Sequence, residues 1–214
     1  MKKCIGLLLI SLLTTSVSQA EMLTYKATGT VTTNRDFIKS GDAVSMTFTY
    51  DDSATGTITG GGTQGSYVGT AQGVYAMDVV INTSEGLWES TATTGNIVVY
   101  NPGTTGGDSF QVTSTLPPAT WTSTVNGYTP DAFKLELVNE TGNTYDSLDL
   151  PSSLSMSDFT KLTGTVYFNG GGFFDSVSFN VTDLQLVPEP ATYAALFGIA
   201  ALAMGIYVKR RRRS

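Results

Sequence analysis

The chain has 214 residues and a formal net charge of -6, and it contains no histidine and a single cysteine, Cys4. Residues 21–187 include 17 acidic and 5 basic side chains, so this segment is strongly acidic. An acidic field repels phosphate backbones, which argues against nucleic acid as a partner. Without histidine or cysteine, the segment has no imidazole base, cysteine nucleophile, disulfide, or zinc site built on those residues.

The first 20 residues have the pattern of a secretory signal peptide. Lys2 and Lys3 precede an apolar run at 5–13, and small residues lead to Ala20. This order predicts export through the Sec machinery, with cleavage after Ala20 and loss of Cys4. The alternative is an N-terminal anchor, but the apolar run is too short to span about 30 Å of hydrocarbon.

Segment 21–187 has the composition of a β protein. It contains 30 Thr and 16 Ser among 167 residues, and good helix formers are sparse. Alternation of apolar and polar residues predicts strands. The predicted strands are 23–31, 44–50, 76–81, 97–100, 109–114, 133–137, 162–168 and 176–182. A single helical turn is predicted at 155–159, and the glycines at 60–62 predict a turn with positive φ angles.

About eight to ten short strands without a helical period predict an all-β fold. We expect one domain at 21–187, an antiparallel two-sheet sandwich of which a jelly roll is the favoured version. In the last strand, the apolar positions change parity between Val181 and Leu184. This change predicts a β-bulge near Thr182 and Asp183.

No arrangement of catalytic residues is recognisable in this segment. The many Ser and Thr hydroxyls lack a histidine base, and no Gly-x-Ser-x-Gly motif occurs. The sequence therefore predicts a protein that is not an enzyme and has no catalytic residues. The remaining enzymatic alternative is a glycosidase, because two suitably spaced carboxylates suffice for that chemistry.

Calcium is the one metal ion that the sequence leaves open, and no other cofactor is predicted. Asp51 and Asp52 fall at a predicted strand end and are candidate calcium ligands, because Ca²⁺ prefers oxygen ligands. Further acids fall in predicted loops, namely Asp108, Asp131, Asp146, Asp149 and Asp175. Their spacing matches no known calcium loop, so the alternative is that they are solvated turn residues that cap loop amides.

The two tryptophans have different expected roles. Trp121 lies in a proline-containing, loop-like stretch at 117–122 and is a candidate contact for a glycan. Trp88 follows Leu87 and is predicted to belong to the core. Because Trp121 is a candidate glycan contact, extracellular polysaccharide is a candidate partner.

Near the C-terminus, residues 191–208 form an uncharged, mostly apolar segment. As a helix it would be about 27 Å long, enough to cross a membrane. A basic stop-transfer cluster follows, made of Lys209, Arg210, Arg211, Arg212 and Arg213. The positive-inside rule keeps this cluster cytoplasmic and places segment 21–187 outside. One alternative is a plain single-pass anchor.

The run Pro188-Glu189-Pro190 stands immediately before this apolar segment. The two prolines favour extended backbone and present Glu189 at the outer membrane boundary. Motif, apolar helix and basic tail together resemble the PEP-CTERM sorting signal over 188–214. The resemblance implies recognition by an exosortase, a membrane-embedded cysteine transpeptidase of Gram-negative bacteria that cuts near the motif.

This resemblance also carries an expectation about function. It implies a membrane-anchored precursor whose body is then released or transferred to the cell surface. The expected function is a non-enzymatic surface or extracellular-matrix protein in biofilm or exopolysaccharide surroundings. The alternative is a carbohydrate-binding or calcium-binding β-sandwich module.

Overall fold

The computed structural model describes residues 22–35, 38–84, 86–92, 95–102, 107–114, 119–121, 129–142, 144–169 and 175–188, together with Gly198, Ala201 and Met204. The strands are β1 (Met22–Val31), β2 (Ala43–Asp51), β3 (Thr57–Thr59), β4 (Gln64–Val68), β5 (Val74–Thr83), β6 (Gly86–Ala92), β7 (Gly95–Tyr100), β8 (Asp108–Ser114), β9 (Ala119–Trp121), β10 (Thr129–Asn139), β11 (Lys161–Asn169) and β12 (Asp175–Val187). Short 3-10 helices lie at Thr70–Gln72 and Met156–Asp158.

All eight strands predicted from the sequence are present, so the all-β prediction is confirmed. The predicted helical turn is the 3-10 helix Met156–Asp158, and Gly60, Gly61 and Gly62 have the expected positive φ angles of 62°, 71° and 95°. The alternation pattern did not predict four strands: β3, β4, β6 and β9. In β6 the buried positions are occupied by Trp88, Ser90 and Ala92, and the polar Ser90 interrupts the apolar pattern.

The described strands form one antiparallel sheet. Their order is β3-β4-β7-β8-β10-β11-β12-β1-β2-β5-β6-β9. Most neighbours in this order are also consecutive or nearly consecutive in the chain, as expected for hairpins. The pairing of β12 with β1 joins the last described strand to the first.

The sheet curls so that its inner face packs against itself. Four strands lie between β2, which carries Phe48, and β8, which carries Phe110, yet the two ring centroids are only 6.1 Å apart. Trp88 of β6 lies 5.6 Å from Phe168 of β11 in the same way. In most of the strands, alternate residues point into this interior, which is apolar and fully buried over most of its length.

The prediction of two separate sheets, with a jelly roll as the favoured version, is not confirmed. Two facing layers exist, but the β12–β1 pairing connects them into one ladder. Residue alternation reports which side of a strand is buried. It does not report whether hydrogen bonding continues around the curve, which is why a sandwich and a curled sheet look alike from the sequence.

A β-bulge interrupts β12 at the predicted place. Thr28 pairs with Asp183, but Gly29 pairs with Val181, so Thr182 is the extra residue. The bulge allows both Val181 and Leu184 to face the interior. Glycine is needed opposite the bulge because a β-carbon at position 29 would collide with the Asn180 carbonyl oxygen.

Candidate functional site

One end of the curled sheet is covered by the long connection between β10 and β11, residues 140–160. β1 begins and β12 ends at this same end, which we call the closed end. Leu150, Leu154 and Phe159 of the connection are buried and extend the core. The connection is therefore a packed part of the body, and it lies beside the point where the chain leaves for the sorting motif.

Tyrosine hydroxyls from three strands bind the backbone of this connection. The pairs are the Tyr25 oxygen accepting from the Leu154 amide (2.9 Å), the Tyr50 hydroxyl donating to the Pro151 carbonyl (2.7 Å) and the Tyr67 hydroxyl donating to the Leu148 carbonyl (2.9 Å). Burial raises the pKa of the Tyr50 hydroxyl, and the neighbouring Tyr25 adds to the effect. Burial and then Asp149 raise the pKa of Tyr67. The hydroxyls of Tyr50 and Tyr67 therefore stay protonated and act as fixed hydrogen-bond donors.

A polar cleft of about 480 Å³ opens in the closed end. Its described lining consists of Asn139, Thr144, Tyr145, Pro151, Ser152, Ser153, Leu154, Ser157, Asp158 and Phe159. The lining thus combines hydroxyl and amide side chains with two aromatic residues, Tyr145 and Phe159, whose ring centroids are 6.3 Å apart. A volume of this size lies within the range of small-molecule sites, about 300–1,000 Å³.

Asp108 fixes the backbone of two residues that line the cleft, Thr144 and Tyr145. Its carboxylate oxygen Oδ2 accepts hydrogen bonds from the backbone amides of Thr144 (2.6 Å) and Tyr145 (2.9 Å). The other oxygen, Oδ1, is buried without a hydrogen-bond partner among the described residues, and so is the Tyr145 hydroxyl. Burial, followed by Asp158 and Asp108, raises the pKa of Tyr145, so this hydroxyl remains a neutral donor.

Asp158 is the one carboxylate among the described lining residues of the cleft. It belongs to a capping box, in which Oδ2 accepts from the Ser155 amide (3.2 Å) and Ser155 caps the 3-10 helix in return. This arrangement fixes the carboxylate by short-range hydrogen bonds. A glycosidase needs a second carboxylate about 5 to 9.5 Å away, and the described lining supplies none.

The predicted calcium ligands lie at the closed end as well. Asp51 is the last residue of β2, and its Oδ1 accepts from the amide (2.9 Å) and the hydroxyl (2.7 Å) of Ser53. The alternative prediction, that such acids cap loop amides, is therefore confirmed for Asp51. Within the ranges described above, no group of three or more acidic side chains is placed to hold a metal ion. Calcium binding by Asp51 and Asp52 stays a prediction.

Three acids that were predicted in loops lie in strands instead. Asp108 begins β8, Asp131 lies within β10 and Asp175 begins β12. Asp108 is buried because strand β8 starts under the connection, where its carboxylate meets two backbone amides. The loop prediction holds for Asp146 and Asp149, which are exposed in the connection.

The two tryptophans also lie in strands. Trp88 is buried against Phe168, which confirms its predicted core position. Trp121 is not in a loop as predicted, because it ends β9, where it pairs with Ser90 at the sheet edge. Its contact with a glycan stays a prediction.

The tyrosines of the closed end were not identified from the sequence as functional residues. A signal was available, since Tyr25 and Tyr50 occupy inward positions of alternating strands and a buried tyrosine hydroxyl needs a hydrogen-bond partner. For Tyr25, the identity of the partner depended on the path of the connection that contains Leu154, 129 residues further along the chain.

Most of the predicted sorting elements lie outside the described residues. Pro188 is exposed and directly follows β12. The signal peptide with Ala20, the motif residues Glu189 and Pro190, and the stop-transfer residues Lys209, Arg210, Arg211, Arg212 and Arg213 are not described. In the predicted membrane segment, Gly198, Ala201 and Met204 are helical and exposed. Among the described residues, no helix has the length and apolar character needed to cross a membrane.

Comparison with known proteins identifies the C-terminal segment. Residues 186–213 match the family model of the PEP-CTERM protein-sorting motif. Neither a curated protein nor a solved structure matches the chain. The motif supports export through exosortase sorting, and it implies a membrane-anchored precursor. The chain is therefore a PEP-CTERM sorting domain-containing protein.

Proposed function

We propose that the body at 21–187 is a non-enzymatic surface or extracellular-matrix protein, exported as a precursor and freed from its anchor by exosortase. The observation that carries this proposal is the match to the sorting motif at 186–213, which begins within the last strand of the β body. The apolar interior and the acidic, hydroxyl-rich sequence of the body support a structural role. The signal directs the protein outward, and the body contributes its surface there.

Fractionation of cells that carry a matching exosortase tests this proposal. We expect the exported form to begin at Glu21, to end near Pro188, and to be found at the cell surface or in the medium. In a Glu189→Ala variant, the chain should keep its basic tail and stay in the inner membrane. A wild-type chain that also keeps its tail would show a permanent anchor instead.

The absence of turnover is tested on the exported form recovered from the medium. We expect no release of reducing sugar from cellulose, starch or the exopolysaccharide of the producing cells. The single carboxylate in the described lining of the cleft supports this expectation. Hydrolysis by the wild-type protein that is lost in Asp158→Asn would contradict this expectation and would support the glycosidase alternative.

The polar cleft favours a second candidate function, binding of a neutral sugar. Its lining includes the hydroxyls of Ser152 and Ser153, which can donate and accept hydrogen bonds, while Tyr145 and Phe159 contribute aromatic side chains. The Tyr145 hydroxyl is buried beneath this lining and has no partner among the described residues. This candidate assigns the glycan to the cleft, whereas the sequence had suggested Trp121.

Backbone-amide NMR shifts of the exported form, titrated with cellobiose and maltose, test this second candidate. We expect saturable shifts at Thr144, Tyr145 and Ser153. Ser153→Trp should fill the cleft and abolish them. Ser84→Trp is a matched control, because Ser84 follows β5 at the opposite end of the sheet. No shift at about 50 mM of either sugar, well above millimolar dissociation constants, would remove the second candidate.

A further inference from the structure

The last strand runs directly into the sorting motif. Tyr25 pairs with Leu186 and Thr24 pairs with Val187, and Pro188 follows at once. One residue therefore separates the last paired residue of the body from Glu189. The match to the sorting motif itself starts at residue 186, inside β12. The folded body and the sorting motif share the end of one strand.

The end of β12 is held on one side only. Its pairing with β11 stops at Asn180, and beyond that residue β12 pairs with β1 alone. Leu184 is the last buried side chain, whereas Leu186 is 50% exposed and Val187 is 39% exposed. Residues 185–187 are thus attached mainly by backbone hydrogen bonds to β1, and such exposed strand ends open more readily than the rest of a sheet.

The closed end is also poorly suited to lie flat on a membrane. The connection that covers it, extended to residue 161, carries four exposed carboxylates and one cation. These residues are Glu140, Asp146, Asp149, Asp158 and Lys161. Anionic lipid headgroups repel such a surface within a Debye length of about 8–10 Å. The three residues 188–190 span only about 10 Å when extended, which leaves little room for an enzyme between the body and the membrane.

We propose that exosortase processing requires residues 185–187 to detach from β1, so that the folded body controls access to its own sorting motif. Detachment adds three residues, about 10 Å, to the extended segment that a membrane enzyme can bind. The closed end is then the surface that faces exosortase, and the β1–β12 end pairing is the gate. This inference rests on exosortase processing of the chain.

A disulfide across the gate tests this directly. In Thr24→Cys with Val187→Cys, the two Cα atoms face each other across an antiparallel pair, a separation that a disulfide spans. The mature body has no other cysteine, and exported compartments are oxidising. We expect the locked precursor to be processed at least tenfold more slowly than wild type, and reductant to restore the rate. Val187→Cys alone is the control and should be processed normally.

An insertion distinguishes restricted access to the sorting motif from misfolding of the locked precursor. Gly-Ser-Gly-Ser placed between Val187 and Pro188 should speed processing several-fold in the unlocked chain and restore processing in the locked one. Normal processing of the locked precursor, with its disulfide confirmed by mass, would overturn the proposal. An insertion without effect in the unlocked chain would overturn it too, even if no disulfide forms. Glu189→Ala should block processing with or without reductant; if it does not, exosortase processing itself has failed, which is a separate result.

Discussion

The tyrosine bonds of the closed end make a quantitative prediction about stability. In Tyr25→Phe, the ring stays in the core but the acceptor for the Leu154 amide is lost, and that bond is 2.9 Å long and buried. A buried amide left without a partner costs about 1–3 kcal/mol. In Tyr67→Phe, the Leu148 carbonyl loses a donor in a partly buried place. An under-satisfied carbonyl is more readily tolerated, so we expect about 1 kcal/mol there.

Urea and thermal unfolding of the exported form, followed by circular dichroism, measure both effects. For a body of this size, about 1 kcal/mol lowers the melting temperature by about 2–4 °C, so Tyr25→Phe should lower it by about 2–12 °C. Tyr167→Phe is the matched control, because Tyr167 lies on the outer face of β11. The reasoning is refuted if Tyr25→Phe falls within about 0.5 kcal/mol of wild type, or if Tyr67→Phe is the more damaging change.

Three further outcomes are expected. Gly29→Ala should lower the free energy of unfolding, measured in urea, by about 1–3 kcal/mol or more, because its β-carbon meets the Asn180 carbonyl across the bulge. An unchanged urea midpoint would contradict this packing. Tyr50 and Tyr145 have raised pKa values in the folded state, so the unfolded chain ionises first as the pH rises. Their contribution to stability is therefore complete below about pH 10 and is lost at higher pH. Tyr50→Phe should reduce this alkaline loss of stability in unfolding scans from pH 8 to 11. Removing divalent cations with EDTA should leave the melting temperature unchanged, since the Asp51 carboxylate already caps its own turn. A drop of several degrees would contradict this and show that a divalent cation is bound.

The sequence by itself determined the features that are read locally. Strands such as β2 and β12 were predictable because burial alternates along each strand, and the bulge at Thr182 was predictable because that alternation changes parity. The sorting motif was predictable because a sorting enzyme reads a linear segment, and the family match confirms it. β6 was missed because Ser90 occupies an inward position, where an apolar residue was expected.

Only the tertiary structure decided which distant groups meet. The continuous sheet depends on β12 pairing with β1 across nearly the whole body, and Tyr25 finds its partner 129 residues away. Asp108 was expected in a loop, but it lies buried at the start of β8, where two backbone amides from a distant connection bind one of its carboxylate oxygens. The cleft and the strand end beside Pro188 arise in the same way. Their positions depend on strand pairing between residues that are distant in the chain, and residue type and spacing do not predict that pairing.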